Sequence, residues 1–162
     1  MIQLSPFTDA HWPQLWPILQ EVFRDGTTYA IERDIDIDSA FHYWVSQAQL
    51  VWLACAEGEV LGSYSLRKNE QAAHEQISHC GFVVASSARG QGVGTILAQH
   101  SLAQAKQLGY VGMQFNAVAA TNTGAVQLWQ RLGFSIIETR HNQFSHPQLG
   151  LVDAYVMAQT WG

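Results

Sequence analysis

Two cysteines, Cys55 and Cys80, are all that the 162 residues contain, and no CxxC pair occurs, so neither a disulfide framework nor a zinc knuckle is encoded. Charge is scarce too. Charged residues make up 13% of the chain, and 8 Lys and Arg stand against 13 Asp and Glu, for a net charge of −5. That balance lacks the basic excess that neutralises a phosphate backbone, so no nucleic-acid partner is expected. No apolar run approaches the ~18 residues of a spanning helix, and Met1 to Asp9 has no basic start and no long apolar stretch. The expectation is a soluble, cytoplasmic protein with no membrane partner. Repeats and low-complexity segments are missing as well, which excludes solenoids and propellers.

What the chain does have is core-forming material. Hydrophobic residues reach 48%, with 6 Trp, 7 Phe and 5 Tyr. That composition excludes global disorder, and the length suits one domain over 1–162, since domains cluster at roughly 100–200 residues.

Apolar spacing orders the elements. After Ser5-Pro6, the residues Trp12, Leu15, Trp16, Leu19, Val22 and Phe23 predict a helix over about 9–24, ended by Asp25-Gly26. Asp38-Ser39 reads as the cap of a second helical stretch through Val45. Leu50–Ala56 and Val60–Leu66 read as a hairpin about Glu57-Gly58-Glu59. A polar stretch, Arg67 to Glu75, precedes a strand over Ile77–Ala85. Gly90 to Gly94 then punctuate before a helix ending at Gly109. Tyr110–Val118 is extended, Asn122 caps a helix through Leu132, and Phe134–Thr139 and Leu151–Met157 close the chain as strands. This order argues a mixed α/β sheet.

Carboxylates are unevenly spread. None occurs from 76 to 137, a span that carries Arg89, Lys106 and Arg131 and so suits an anionic ligand. Glu32, Asp34, Asp36 and Asp38 either attract a cationic substrate or form a solvated loop.

The turn Arg89-Gly90-Gln91-Gly92-Val93-Gly94-Thr95 lies between a predicted strand and a predicted helix, where free N–H groups and the helix dipole favour phosphate. It is not a dinucleotide fingerprint, because Thr95 stands where a third Gly is needed and no acid follows. It is not a nucleoside-triphosphate loop either, because no Lys occurs between Lys68 and Lys106. With Arg89, Gly92 and Gly94 it resembles the Q/R-x-x-G-x-G/A pyrophosphate loop of the GNAT superfamily of acyl-CoA-dependent N-acetyltransferases. Asn122 to Phe134 resembles that family's second signature, N-x-x-A-x-x-L-Y-x-x-x-G-F. Gly26-Thr-Thr-Tyr29, Phe115-Asn116, Leu128-Trp129 and the segment from His146 to Met157 look like a subgroup that includes acetyltransferases of proline analogues such as azetidine-2-carboxylate.

The resemblance implies a mixed, mostly antiparallel sheet flanked by helices, with acetyl-CoA as co-substrate in a gap between central strands, no metal, and frequent homodimers. It implies direct acetyl transfer to a primary or secondary amine of a small molecule, an amino acid or amino-acid-like compound. Alternatives are a non-catalytic acyl-CoA sensor and a protein N-terminal or lysine acetyltransferase. Phe82, Val83 and Val84 would face the pantetheine arm, though they also read as a plain buried strand. Gly90, Gln91, Val93 and Thr95 would complete the pyrophosphate turn, and Asn122, Ala125 and Trp129 would line the co-substrate from the next helix. Asn122 is equally a helix cap.

Trp129 departs from the family, whose usual Tyr can protonate the leaving sulfur; an indole cannot. The proton then comes from solvent, from coenzyme A or from a hydroxyl such as Tyr29, Tyr64 or Tyr155. Asn116, polar at the end of an apolar strand, needs a partner and is expected near the acceptor or the pantetheine. His79 is a base acting through water, a substrate-positioning group or a satisfied core histidine. The catalytic candidates are therefore His79, Asn116 and Tyr29. His141 and His146, with no third ligand, predict no metal site.

Overall fold

In the computed structural model, which describes residues 1–162, the chain runs β1 (Gln3–Pro6), α1 (Trp12–Asp25), α2 (Ile37–Phe41), β2 (Leu50–Ala56), β3 (Glu59–Lys68) and β4 (Ile77–Val84). It continues with α3 (Val93–Gln107), β5 (Gly112–Ala119), α4 (Thr123–Arg131), β6 (Ser135–His146) and β7 (Gly150–Thr160). One sheet of 7 strands results, in the order β1-β2-β3-β4-β5-β7-β6. Every neighbouring pair is antiparallel except β4 and β5. This is the mixed α/β sheet that the element order argued, and mostly antiparallel as the resemblance implied.

Strand alternation assigns each helix a face. On one face Leu15, Leu19 and Phe23 of α1 pack with Ala40, Trp44, Leu53 and Val83. Each of those wholly buried α1 side chains contributes about 1.5–3 kcal/mol of burial. On the other face Val93, Leu97 and Ala105 of α3 pack with Tyr64, Leu66 and Cys80. Ser63 and Ser65, buried between apolar neighbours, are satisfied in large part by Trp44: its Nε1 donates to Ser63 Oγ at 3.1 Å and its carbonyl accepts from Ser65 Oγ at 2.6 Å, while Ser63 Oγ donates to the Trp52 carbonyl at 2.9 Å.

Several boundaries differ from the sequence reading: β3 takes in Arg67 and Lys68 from the polar stretch, β7 runs on to Thr160, and three further differences have local causes. Ser5-Pro6 belongs to β1 rather than to a helix start; an edge strand tolerates Pro6, and α1 begins only after a 3-10 turn over Asp9–His11. Asp36, not Asp38, caps α2, its Oδ1 accepting from the Ser39 N–H at 2.7 Å, and the helix widens into a π-type coil over His42–Ser46. β6 runs on to His146 instead of stopping at Thr139, because its polar outer half pairs with β7.

The feature that matters for function is where the sheet opens. β4 and β5 pair only at Ile77↔Gly112 and Ser78↔Met113, then part. Beyond that point the inner edge of β4 has no strand beside it. No helix of the chain is long and apolar enough to cross a membrane.

Candidate functional site

A cavity of about 430 Å³ occupies the opening between β4 and β5, within the range of small-ligand pockets. A second of about 300 Å³ lies beside it and shares Thr28, Phe82 and Asn122 in its wall. His79, Asn116 and Tyr29, scattered over 88 positions of sequence (116 − 29 + 1), all line the larger cavity. Of the residues expected to face a co-substrate, Phe82, Asn122, Ala125 and Trp129 line it, while Phe82, Val83, Val84, Arg89 and Asn122 line the smaller one.

The glycine turn stands at the start of α3. Gly90 and Gly92 hold φ of +80° and +79°, left-handed conformations that glycine adopts without the Cβ clash. The N–H groups of Gly90, Gln91 and Gly92 donate to no backbone acceptor, and the first-turn N–H groups of the helix through Val93, Gly94 and Thr95 lack intrahelical partners by construction. Gly94 brings this turn close to the opening, since a Cβ there would lie 3.9 Å from Val84 and 4.0 Å from Leu128 of α4.

Tyr29 reaches the inner edge of β4 from the loop after α1. Its hydroxyl donates to the Phe82 carbonyl at 2.8 Å and accepts from the Phe82 N–H at 2.7 Å, so both free groups of that residue are engaged. Gly81 permits the approach: a Cβ there would sit 3.1 Å from the Tyr29 oxygen and 3.1 Å from Trp44. Burial holds the Tyr29 hydroxyl neutral, well above the ordinary tyrosine range. Tyr64 instead bonds His100 at 2.9 Å on the α3 face, and neither it nor Tyr155 lines the cavity.

Asn116 sits where β5 bulges, its pairing with β7 skipping from Phe115 to Val118. Such bulges re-aim side chains. Its Oδ1 accepts from Asn69 Nδ2 at 2.9 Å and from Gln114 Nε2 at 3.2 Å, which orients its own amide N–H groups away from those partners and leaves them free to donate. His79 is pushed down to about 4 by burial first and the Arg67 charge second, against a hydrogen bond toward the Gln114 backbone. Its imidazole is neutral at pH 7, and Nδ1 is buried with no partner. Cys80 also lines the cavity, yet burial pushes its thiol up, so it is not a ready thiolate nucleophile.

Trp129 packs between aromatic rings, with centroids 5.0 Å from Phe82 and 4.6 Å from Phe115. Asn122 does cap α4, its Oδ1 accepting from the Ala125 N–H at 3.3 Å, while also lining both cavities. The acidic run is elsewhere: Glu32, Asp34, Asp36 and Asp38 are exposed and none lines either cavity, so the solvated-loop reading is the right one. His141 pairs with Asp153 at 3.3 Å, and His146 Nδ1 accepts from the N–H groups of Gln148 and Leu149. Neither is part of a group of three metal-ligating side chains.

Sequence reading passed over Arg67 and Asn69, which it left in a polar stretch. Asn69 is 2% exposed and fully bonded, to the Gln114 carbonyl, to Asn116 and to the Gln71 N–H. Nothing local marks such a buried asparagine. For Arg67 the available signal was a cation directly continuing the run Val60–Leu66, and the structure places it inside β3 with Lys68.

Comparison with known proteins follows the same lines. A profile of the Acetyltransferase (GNAT) family matches residues 12–134. The curated "N-acetyltransferase aca1" of Schizosaccharomyces pombe is 35% identical over 100 residues, covering 60% of this chain and 47% of that protein, so the match spans about half of the relative's length. The structure of a GCN5-related N-acetyltransferase from Kribbella flavida superposes with a TM-score of 0.91 at 37% identity, over 98% of this chain and 97% of that one. yncA of Salmonella typhimurium, solved with its cofactor acetyl-CoA, gives a TM-score of 0.88 at 16% identity over 100% and 95% of the two chains, a likeness of fold.

Proposed function

Because this chain belongs to the GNAT family of acetyltransferases, we propose that it transfers an acetyl group from acetyl-CoA to a primary or secondary amine of a small, amino-acid-like molecule. The observation that carries this reading is the junction of two features. A β4 edge with no strand beside it, capped at Phe82 by Tyr29, and a glycine turn with free N–H groups border one side of the opening, and a cavity of small-molecule size lined by the neutral His79 borders the other.

The residues present suit acetyl-CoA. The N–H groups from Gly90 to Thr95 and the Arg89 cation would hold its diphosphate, the edge of β4 at Phe82, Val83 and Val84 would run beside its pantetheine, and Asn122, Ala125 and Trp129 would close over it from α4. Acetyl-CoA supplies an acyl group already activated as a thioester. His79 Nδ1 takes the proton that the acceptor amine gives up, directly or through a water. Its depressed pKa makes it available as an acceptor throughout the neutral range, though a weak one, so positioning supplies most of the rate. Asn116 orients the acceptor with its free amide N–H groups. Tyr29, the one tyrosine of three candidates that reaches the cavity, is the group we assign to the proton needed by the leaving sulfur. Trp129 packs without proton transfer. The raised Cys80 thiol supports direct attack by the amine over an acyl-enzyme.

Release of free thiol from acetyl-CoA across a panel of amines tests the proposal. Turnover confined to small amines is expected. Turnover confined to peptide N-termini or lysine peptides would favour a protein acetyltransferase, and acetyl-CoA binding with no turnover on any amine would favour a sensor.

A further inference from the structure

Arg67 is a half-buried cation without a counter-ion. Its Nη1 donates to Gln47 Oε1 at 2.9 Å and its Nη2 to the Tyr43 carbonyl at 3.1 Å, and its guanidinium stands 4.9 Å over the Tyr43 ring. Neutral partners thus take two of the five donors that a guanidinium offers. Nε is enclosed with no partner. No carboxylate reaches it, since the ion pairs of the chain are Arg140 with Glu138 and His141 with Asp153. Of its nitrogens only Nε is closed off from water, and an enclosed donor without a partner is costly.

The other buried side-chain nitrogen left without a partner is His79 Nδ1, and His79 is the residue directly opposite Arg67 in the β3–β4 register. Both residues line the larger cavity. Directly opposed residues hold their Cβ atoms roughly 5 Å apart, close enough for one small molecule to meet both. One side chain of this pair offers a planar cation with free Nη donors suited to a carboxylate, the other a neutral imidazole whose Nδ1 is enclosed until a ligand or a water reaches it. Lys68 and Glu70, exposed at the rim, oppose each other in sign.

We propose that Arg67 anchors a carboxylate carried by the acceptor and so turns the acceptor's amine toward His79, which makes the acceptor an amino acid or a close analogue rather than a simple amine, a polyamine or a peptide N-terminus. This rests on the transferase reading above and adds to it a specificity-determining residue.

The test compares free amino acids, proline among them, with their carboxamides as acceptors, by thiol release. The wild-type protein should prefer the acid over the amide by roughly 10- to 100-fold in kcat/KM, the worth of a charged hydrogen-bonded contact. In Arg67→Met that ratio should collapse toward one, chiefly through KM, while the Kd for acetyl-CoA by calorimetry stays within about twofold of wild type. Should Arg67→Met fold poorly, Arg67→Lys carries the test: it keeps the charge without the planar fork, and the ratio should fall severalfold. Equal use of acids and amides by the wild type, or a ratio that survives both substitutions, would overturn the anchor and leave acetyl transfer to amines standing. No turnover on any small amine would remove the transferase reading and the anchor with it.

Discussion

Asn116 owes its orientation to a buried neighbour, Asn69. Asn69 and Gln114 saturate its carbonyl oxygen, so its amide N–H groups are presented rather than consumed. Asn116→Ala should therefore lower kcat/KM at least tenfold while shifting the melting temperature little, and a variant that melts early but turns over normally would contradict the assignment. Asn69→Ala removes from a buried position the bonds to the Gln114 carbonyl, to Asn116 and to the Gln71 N–H, at about 1–3 kcal/mol. It should lose both stability, read by urea unfolding, and turnover. Tyr29→Phe removes the hydroxyl from both polar groups of Phe82 and should lower kcat with acetyl-CoA affinity retained; unchanged kcat would return that proton to solvent. His79 supplies the pH dependence. Unfolded, it titrates near 6.5; folded, at about 4. Between those values the unfolded chain binds more protons, so stability falls as pH drops through the window and is flat below it, by on the order of 3 kcal/mol. Urea unfolding at pH 7 and pH 4.5 should show a smaller loss in His79→Asn than in the wild type.

At the scale of elements, Asn122 combines two roles that separate by substitution. Asn122→Ala should cost about 1 kcal/mol as a lost cap, and Asn122→Ser should restore that stability. If Asn122 also touches acetyl-CoA, the serine variant regains its melting temperature without regaining affinity, which calorimetry beside a melt resolves. The helices and the β2–β3 hairpin were legible because their cues are local: apolar residues at helical spacing in α1 and α3, Glu57-Gly58 at the turn, and Asn122 and Gly133 at the ends of α4. β1 was not, since 4 residues ending in Pro6 carry no periodicity and become a strand only by pairing with β2. The α2 cap was misplaced by two residues because Asp36 and Asp38 are equally good caps by type, and which one serves depends on how the loop from Gly26 approaches. In the site, the glycine turn, Asn116 and His79 were visible as residues. That His79 and Asn116 share one cavity was not, because it follows from β4 and β5 parting after Ser78, a property of the whole sheet, and none of Gly90 to Thr95 lines either cavity. Arg67 needed the β3–β4 register to set it opposite His79.

Across the whole molecule, a net charge of −5 coexists with a span free of carboxylates from 76 to 137, yet of its cations only Arg89 lines a cavity, so the charge of the opening is set locally by Arg89, Arg67 and Lys68 against Asp25 and Glu70. The exposed run from Glu32 to Asp38 takes no part in it. Everything proposed for the acceptor side depends on acetyl-CoA being held by the turn before α3. Titration calorimetry with acetyl-CoA, on the wild type and on Gly92→Asp, tests this most directly. The substitution puts a side chain at φ +79° and a negative charge among the N–H groups assigned to the diphosphate. Saturable binding by the wild type, weakened at least tenfold in a Gly92→Asp protein that still melts cooperatively, is the expected result. No heat with the wild type, or equal affinity in the two proteins, would contradict it.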